Sequence, residues 1–261
     1  LALKVIQVAD VLDVLRAALS AEESVVRARA AVLLGQSKDV TAVAPLIRLL
    51  GDIDGNVRFN AVDALAQIGQ PAVSGLRDAL THHDPDVRYH AAQVLGRLRE
   101  PSAVPGLLAL LQDQMPSVRS AAAAALGSMT VNQDMPPRLR GGVPAVRGVR
   151  CMPHPKDTAE GEAASRRRAS EGETGRFPLR GLTDARAVKP LGKILLTDKE
   201  EIVRVSAAQA LGNIAELDAM PMLFNALQDQ APDVRRVVLY AMKLLAEEHQ
   251  VAFHVGGEGL W

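Results

Sequence analysis

The chain has 261 residues, 48% of them hydrophobic, with 30 basic against 30 acidic side chains, so it can bury a sizeable core and its charge balance argues against a dedicated nucleic-acid binder. Only Phe59, Tyr89, Phe177, Phe224, Tyr240, Phe253 and Trp261 are aromatic, while Ala, Leu and Val dominate, which favours helix over strand. One cysteine, Cys151, can form neither an internal disulfide nor a thiolate zinc cage, and no apolar run approaches the ~20 residues that span a bilayer. A reducing, cytoplasmic setting without membrane attachment is therefore expected. The chain opens at Leu1 inside a helical pattern, as expected of a sequence that starts downstream of its natural N-terminus.

The predicted elements repeat. Val26-Arg27, Val57-Arg58, Val87-Arg88, Val118-Arg119, Val203-Arg204 and Val234-Arg235 recur at spacings of 31, 30, 31, 85 and 31 residues. Eight positions after the Arg stands Gly35, Gly96, Gly127 or Gly212, each preceded by Leu, with Ala66 and Lys243 in the other two copies. A proline-led apolar run follows at Pro45, Pro105, Pro190 and Pro221. The turns DIDGNVR, HHDPDVR, DQMPSVR and DQAPDVR place Asp, Asn, Ser or Pro just ahead of the next helix, as N-cap and first-turn residues. Small pairs such as Ala30-Ala31, Ala91-Ala92, Ala122-Ala123 and Ala207-Ala208 let neighbouring helices approach. Each copy predicts helix, turn, helix, and a fixed period with Arg and Gly in phase predicts an all-α fold, an α-solenoid of about six helix pairs.

The stretch Asp84 to Asp113, DPDVRYHAAQVLGRLREPSAVPGLLALLQD, resembles the short HEAT-like repeat associated with phycobilisome lyases, and six copies span roughly Val8 to Glu248. The resemblance implies paired helices stacked into a superhelix whose second helices line a concave wall. It specifies fold far better than function. The recurring Arg27, Arg58, Arg88, Arg119, Arg204 and Arg235 read as a structural ladder bonding acidic turn residues and carbonyls of an adjacent repeat. A phosphate-binding ladder is disfavoured by the neighbouring Asp54, Asp86 and Asp233.

Between Arg119 and Arg204 the period fails, and removing residues 130–182 restores it. That segment holds six of the fifteen prolines and seven glycines without a helical apolar period, so it reads as a disordered insert or non-native coding between repeats four and five. The expected division is repeats 1–4 over 1–129, the insert, repeats 5–6 over 183–250, and a tail over 251–261 that either caps the last repeat through Phe253 and Trp261 or is the cut edge of a longer array. Arg166-Arg167-Arg168-Ala169-Ser170 within the insert resembles a basophilic kinase site.

Candidate chemistry is sparse. A di-iron hydroxylase built on similar repeats carries His-Glu directly after Val-Arg, whereas here those places hold Ala28-Arg29, Phe59-Asn60, Tyr89-His90, Ser120-Ala121, Val205-Ser206 and Arg236-Val237. His82-His83 beside Asp84 and Asp86 is a faint metal-like cluster, and Cys151 with His154 has no rigid frame to act as a nucleophile and base. No catalytic residue, metal or cofactor is assigned. Positions three and seven of the second helices, counted from Val-Arg, lie one turn apart on a face away from the core. They place Phe59 and Asp63 beside Tyr89 and Gln93 in neighbouring repeats, with Arg236 and Tyr240 in the last, as a contact set for another protein. The expectation is a non-catalytic protein-binding scaffold. The alternative is a bilin-lyase-type enzyme or enzyme subunit, and nucleic-acid binding is a weaker third.

Overall fold

A computed structural model describes residues 8–129 and 185–249, which contain helices and turns and no strand. Twelve α-helices pair in chain order: α1 (Val8–Ala18) with α2 (Ser24–Gln36), α3 (Val43–Arg48) with α4 (Gly55–Ile68), and α5 (Val73–Ala79) with α6 (Pro85–Leu98). The series continues with α7 (Val104–Leu110) and α8 (Pro116–Met129), α9 (Val188–Thr197) and α10 (Glu201–Ile214), and α11 (Met220–Ala226) and α12 (Pro232–His249). The expected insert over 130–182, with its basic Ser170 motif, Cys151 and His154, lies outside the described residues, as does the tail over 251–261.

Local chemistry sets the helix ends. The Asp54 carboxylate accepts from the Asn56 and Val57 N–H groups at 2.8 and 3.4 Å, and Asp84 accepts from the Asp86 N–H at 2.9 Å, each capping a second helix. First helices open on a short 3-10 turn, capped by Asp39 through the Thr41 N–H and by Glu100 through the Ser102 N–H. Four second helices give way to a residue with positive φ, namely Lys38, Gly69, Arg99 and Ala215, which turns the chain into the next repeat.

Packing follows the repeat. Leu46, Leu76, Leu107, Leu191 and Leu223 hold equivalent places in the first helices and are wholly buried. Second helices stack on one another at small residues. A Cβ built on Gly35 would stand 2.6 Å from the Ala64 Cα, one on Gly96 2.9 Å from Ala125, one on Gly127 2.6 Å from Ala210, and one on Gly212 3.0 Å from Ala241. Gly127 and Ala210 belong to α8 and α10, so the stack runs on from residue 129 to residue 185 without a change of geometry. The junction of α4 with α6 departs from this rule. Ala66 stands in the glycine's place and Val94 in the facing alanine's, and the two helices touch over a shorter stretch than the other successive pairs. Both partners have grown together, which holds the backbones apart while keeping Val94 fully buried.

Candidate functional site

The arginine ladder is a repeated three-point device. Arg27 grips the Asp52 carboxylate with its Nε and Nη2, both at 2.8 Å, while its Nη1 donates to the carbonyls of Ala21 and Glu22. Arg88 holds Asp113 at 2.7 and 3.0 Å, Arg119 holds Asp198 at 2.7 and 2.9 Å, and Arg204 holds Asp229 at 2.7 and 2.9 Å. Each of these arginines also donates through Nη1 to two carbonyls of its own turn. The sequence expectation put both kinds of acceptor in an adjacent repeat. The carboxylate does come from the next repeat, but the carbonyls belong to the turn that leads into the arginine's own helix, because Nη1 reaches back over the first turn. Arg58, only 2% exposed, donates to Asp52 O and Ile53 O at 2.8 and 3.2 Å.

The four aspartates were not singled out by the sequence reading, although their spacing signals them. Asp52, Asp113, Asp198 and Asp229 each stand six positions before an arginine of the ladder. Each also accepts the N–H two residues on, as Asp198 Oδ1 does from Glu200 at 3.0 Å. In the turn before α6 the same place holds His82, whose Nδ1 accepts the Asp84 N–H at 3.1 Å and so keeps the turn without a carboxylate. His82 and His83 stack at 4.2 Å, and among the described residues no group of three His, Cys, Asp or Glu side chains could hold a metal ion.

Burial pushes the Asp113, Asp198 and Asp229 carboxyls up, but the Arg88, Arg119 and Arg204 guanidiniums and the turn N–H groups more than offset this and hold all three below the ordinary aspartate value. A carboxylate whose folded value is depressed adds stability that is fully present above the unfolded value, about 4, and is lost as pH falls through the folded one. Thermal melts are therefore expected to be nearly flat from neutrality to about pH 5 and to fall steeply below about pH 4. The Asp229→Asn variant should start lower and lose less on acidification. A melting temperature unchanged at about pH 3 would show that the ladder is not an acid-sensitive element.

The expected contact set is only partly brought together. Phe59 on α4 is exposed, at 49%, and Tyr89 occupies the same register on α6, half-buried against the core. Tyr89 meets His90 edge-on at 4.8 Å. Asp63 accepts from Gln67 Nε2 at 2.6 Å, and Gln93 donates to the Tyr89 hydroxyl at 3.5 Å. Arg236 and Tyr240 lie on α12, separated from the other four by α8 and α10, and Arg236 pairs with Asp233 at 2.7 Å. Position three is also not uniformly open. Val205 is 5% exposed, and the Ser120 and Ser206 hydroxyls bond each other at 2.8 Å, because this position leans across the junction towards the next repeat. Phe59 and Tyr89 thus flank the one junction where Ala66 and Val94 replace the close-approach pair.

Stacked helix pairs with this ladder define an α-solenoid repeat protein. Three stretches, 12–84, 73–145 and 188–253, match the family profile of HEAT repeats; together they cover most of the chain, which belongs to that family. Among curated proteins, the chain is 35% identical over 101 residues to phycocyanobilin lyase subunit beta of Thermosynechococcus vestitus, covering 38% of this chain and 47% of that protein. It is 36% identical over 106 residues to a phycobilisome maturation protein of Synechococcus elongatus, covering 40% and 50%. The chain spans about half the length of the curated relatives it matches. Among solved structures, the complex of CpcE and CpcF of phycocyanin lyase from Nostoc sp. PCC7120 superposes with a TM-score of 0.54 at 22% identity, covering 78% of this chain and 99% of that one, a likeness of fold. No described helix is long and apolar enough to cross a membrane.

Proposed function

We propose that the chain is a subunit of a bilin-lyase-type assembly, holding a linear tetrapyrrole on the face formed by the second helices. The observation that carries this reading is the identity of 33–36% to two phycocyanobilin lyase beta subunits and a phycobilisome maturation protein. The surface chemistry is compatible. Phe59 offers an exposed ring to a planar conjugated ligand, with Tyr89 at the same register of the next second helix, and the Asp63 carboxylate can accept from pyrrole N–H groups. The chain's own part is to bind and orient; no described residue is assigned a bond-making role.

The test is a titration of the purified chain with phycocyanobilin, followed by visible absorption and fluorescence. A saturable spectral shift, weakened about tenfold or more by the Phe59→Ala/Tyr89→Ala pair, is expected. No shift at micromolar chromophore, alone or with a second lyase subunit, would sink the reading. The exposure of Phe59 in a chain with so few aromatics also supports a second reading, a scaffold that binds protein without chromophore. Under it the bilin titration is silent while replacement of Phe59, Asp63, Tyr89, Gln93, Arg236 and Tyr240 by alanine abolishes binding of the partner.

A further inference from the structure

The junction between α4 and α6 has an opening that the other internal junctions lack. Ala66 is only partly buried, whereas Gly35, Gly96, Gly127 and Gly212, at the same place in α2, α6, α8 and α10, are buried under the next second helix. The register of the repeat says which side chains line this opening. Position three of one second helix meets position four of the next, as the Ser120 hydroxyl meets that of Ser206 at 2.8 Å. Position eleven turns back onto the preceding second helix, as the Ser128 hydroxyl does in donating to Gly96 O at 3.1 Å. At the α4–α6 junction the same positions set Phe59 across from His90 and turn Arg97 back towards α4, with Asp63 one turn along from Phe59 at the rim. Arg97 is exposed, and among the described residues its guanidinium meets no carboxylate.

We propose that this opening seats the linear tetrapyrrole between α4 and α6, with Arg97 binding one of its propionate carboxylates. The inference rests on the bilin-lyase reading and adds to it the residues that select the ligand's charge and shape. A linear tetrapyrrole presents a flat conjugated face, N–H groups along one edge and two carboxylate side chains. The opening answers each of these: the Phe59 and His90 rings for the face, the Asp63 carboxylate for the N–H groups, and the Arg97 guanidinium for a carboxylate. His90 and Arg97 are seven residues, about 10 Å, apart along α6, a span that a chain of four pyrrole rings covers. Ala66 and Val94 are positioning residues. They hold the helices apart, and the glycine and alanine that stand in their places at the other internal junctions would bring the backbones together and close the seat.

The experiment titrates the full chain with phycocyanobilin and with its propionate dimethyl ester, read by visible absorption. The free acid is expected to bind tenfold or more tighter than the ester, and Arg97→Gln is expected to erase that difference by weakening the acid alone. Ala66→Gly/Val94→Ala is expected to weaken both ligands tenfold or more, with circular dichroism and gel filtration showing that the variant is folded. Arg97 is exposed, so its variant keeps the test sound if the paired change disturbs the core. Equal affinities of acid and ester for the unaltered chain, or an acid preference that survives Arg97→Gln, overturn the inference and leave the bilin-lyase reading standing. Unchanged affinities in a folded Ala66→Gly/Val94→Ala variant would move the ligand off this junction and also overturn it. Binding of neither ligand sinks the inference and the reading together.

Discussion

Asp198→Ala is expected to lower the melting temperature by about 10 °C, the cost of roughly 3–5 kcal/mol that follows when one partner of a buried ion pair is removed. The Asp198 and Arg119 side chains are 6% and 15% exposed, so the truncation leaves a guanidinium with two donors facing a low-dielectric junction. It also removes the acceptor of the Glu200 N–H at the start of α10. This pair joins α8 to the turn before α10, with its partners separated by 79 residues. Replacing both partners by apolar residues, as in Arg119→Met/Asp198→Leu, should restore part of the loss. Calorimetry of the three proteins checks this, and a fall of under about 1 kcal/mol for Asp198→Ala would show the rung to be as weak as a surface pair.

Gly127→Val is expected to cost about 3 kcal/mol or more, although valine forms helix better than glycine by a few tenths of a kcal/mol. Its Cβ would stand 2.6 Å from the Ala210 Cα and 2.9 Å from the Ala210 Cβ, and backbone atoms cannot swing aside as a side-chain tip can. The α8 and α10 helices must therefore separate, losing contact along their length. The matched control is Ala66→Val on α4. There the facing residue is already Val94 and the helices already stand apart, so enlarging Ala66 to valine should cost about 1 kcal/mol. Chemical denaturation of both variants decides it: equal losses would mean that the small-residue contact does not set the spacing of the stack.

The fold was legible because its determinants are local and repeated. Val-Arg, the glycine eight residues on and the aspartate-bearing turn recur in phase, and each maps onto a contact: arginine to carboxylate, glycine to alanine, aspartate to an N–H. Even the passage across residues 130–184 could be read, since the register of Asp198 and Ala210 against Arg119 and Gly127 is that of the α2–α4, α6–α8 and α10–α12 junctions. Less was legible where one position does different work in different copies. Lys38, Arg99 and Ala215 take the positive φ that only Gly69 advertises, because the tight turn is enforced by the packing of the following helix rather than by the residue. The candidate site suffered most. A surface argument from helix phase alone placed Val205 outward, whereas the lean of each helix over its neighbour buries it; the same argument grouped Arg236 and Tyr240 with Phe59, which needs knowledge of how far apart the copies stand. The Ala66 and Val94 pair, legible only as an exception to two separate columns of the repeat, marks the junction that Phe59 and Tyr89 flank.

The central claim is that six helix pairs form one continuous stack in which α8 docks directly on α10 and on the turn that leads into it. Hydrogen exchange by mass spectrometry on the full chain and on a version lacking residues 130–182 tests it most directly. Equal protection of α8, α9 and α10 in both proteins is the predicted result, since the Arg119–Asp198 rung, the Ser120–Ser206 bond and the Gly127–Ala210 contact involve no residue of the removed segment. Loss of protection in α8 and α10 on removal would contradict it, and would mean that the junction depends on the segment rather than on the repeat's own contacts.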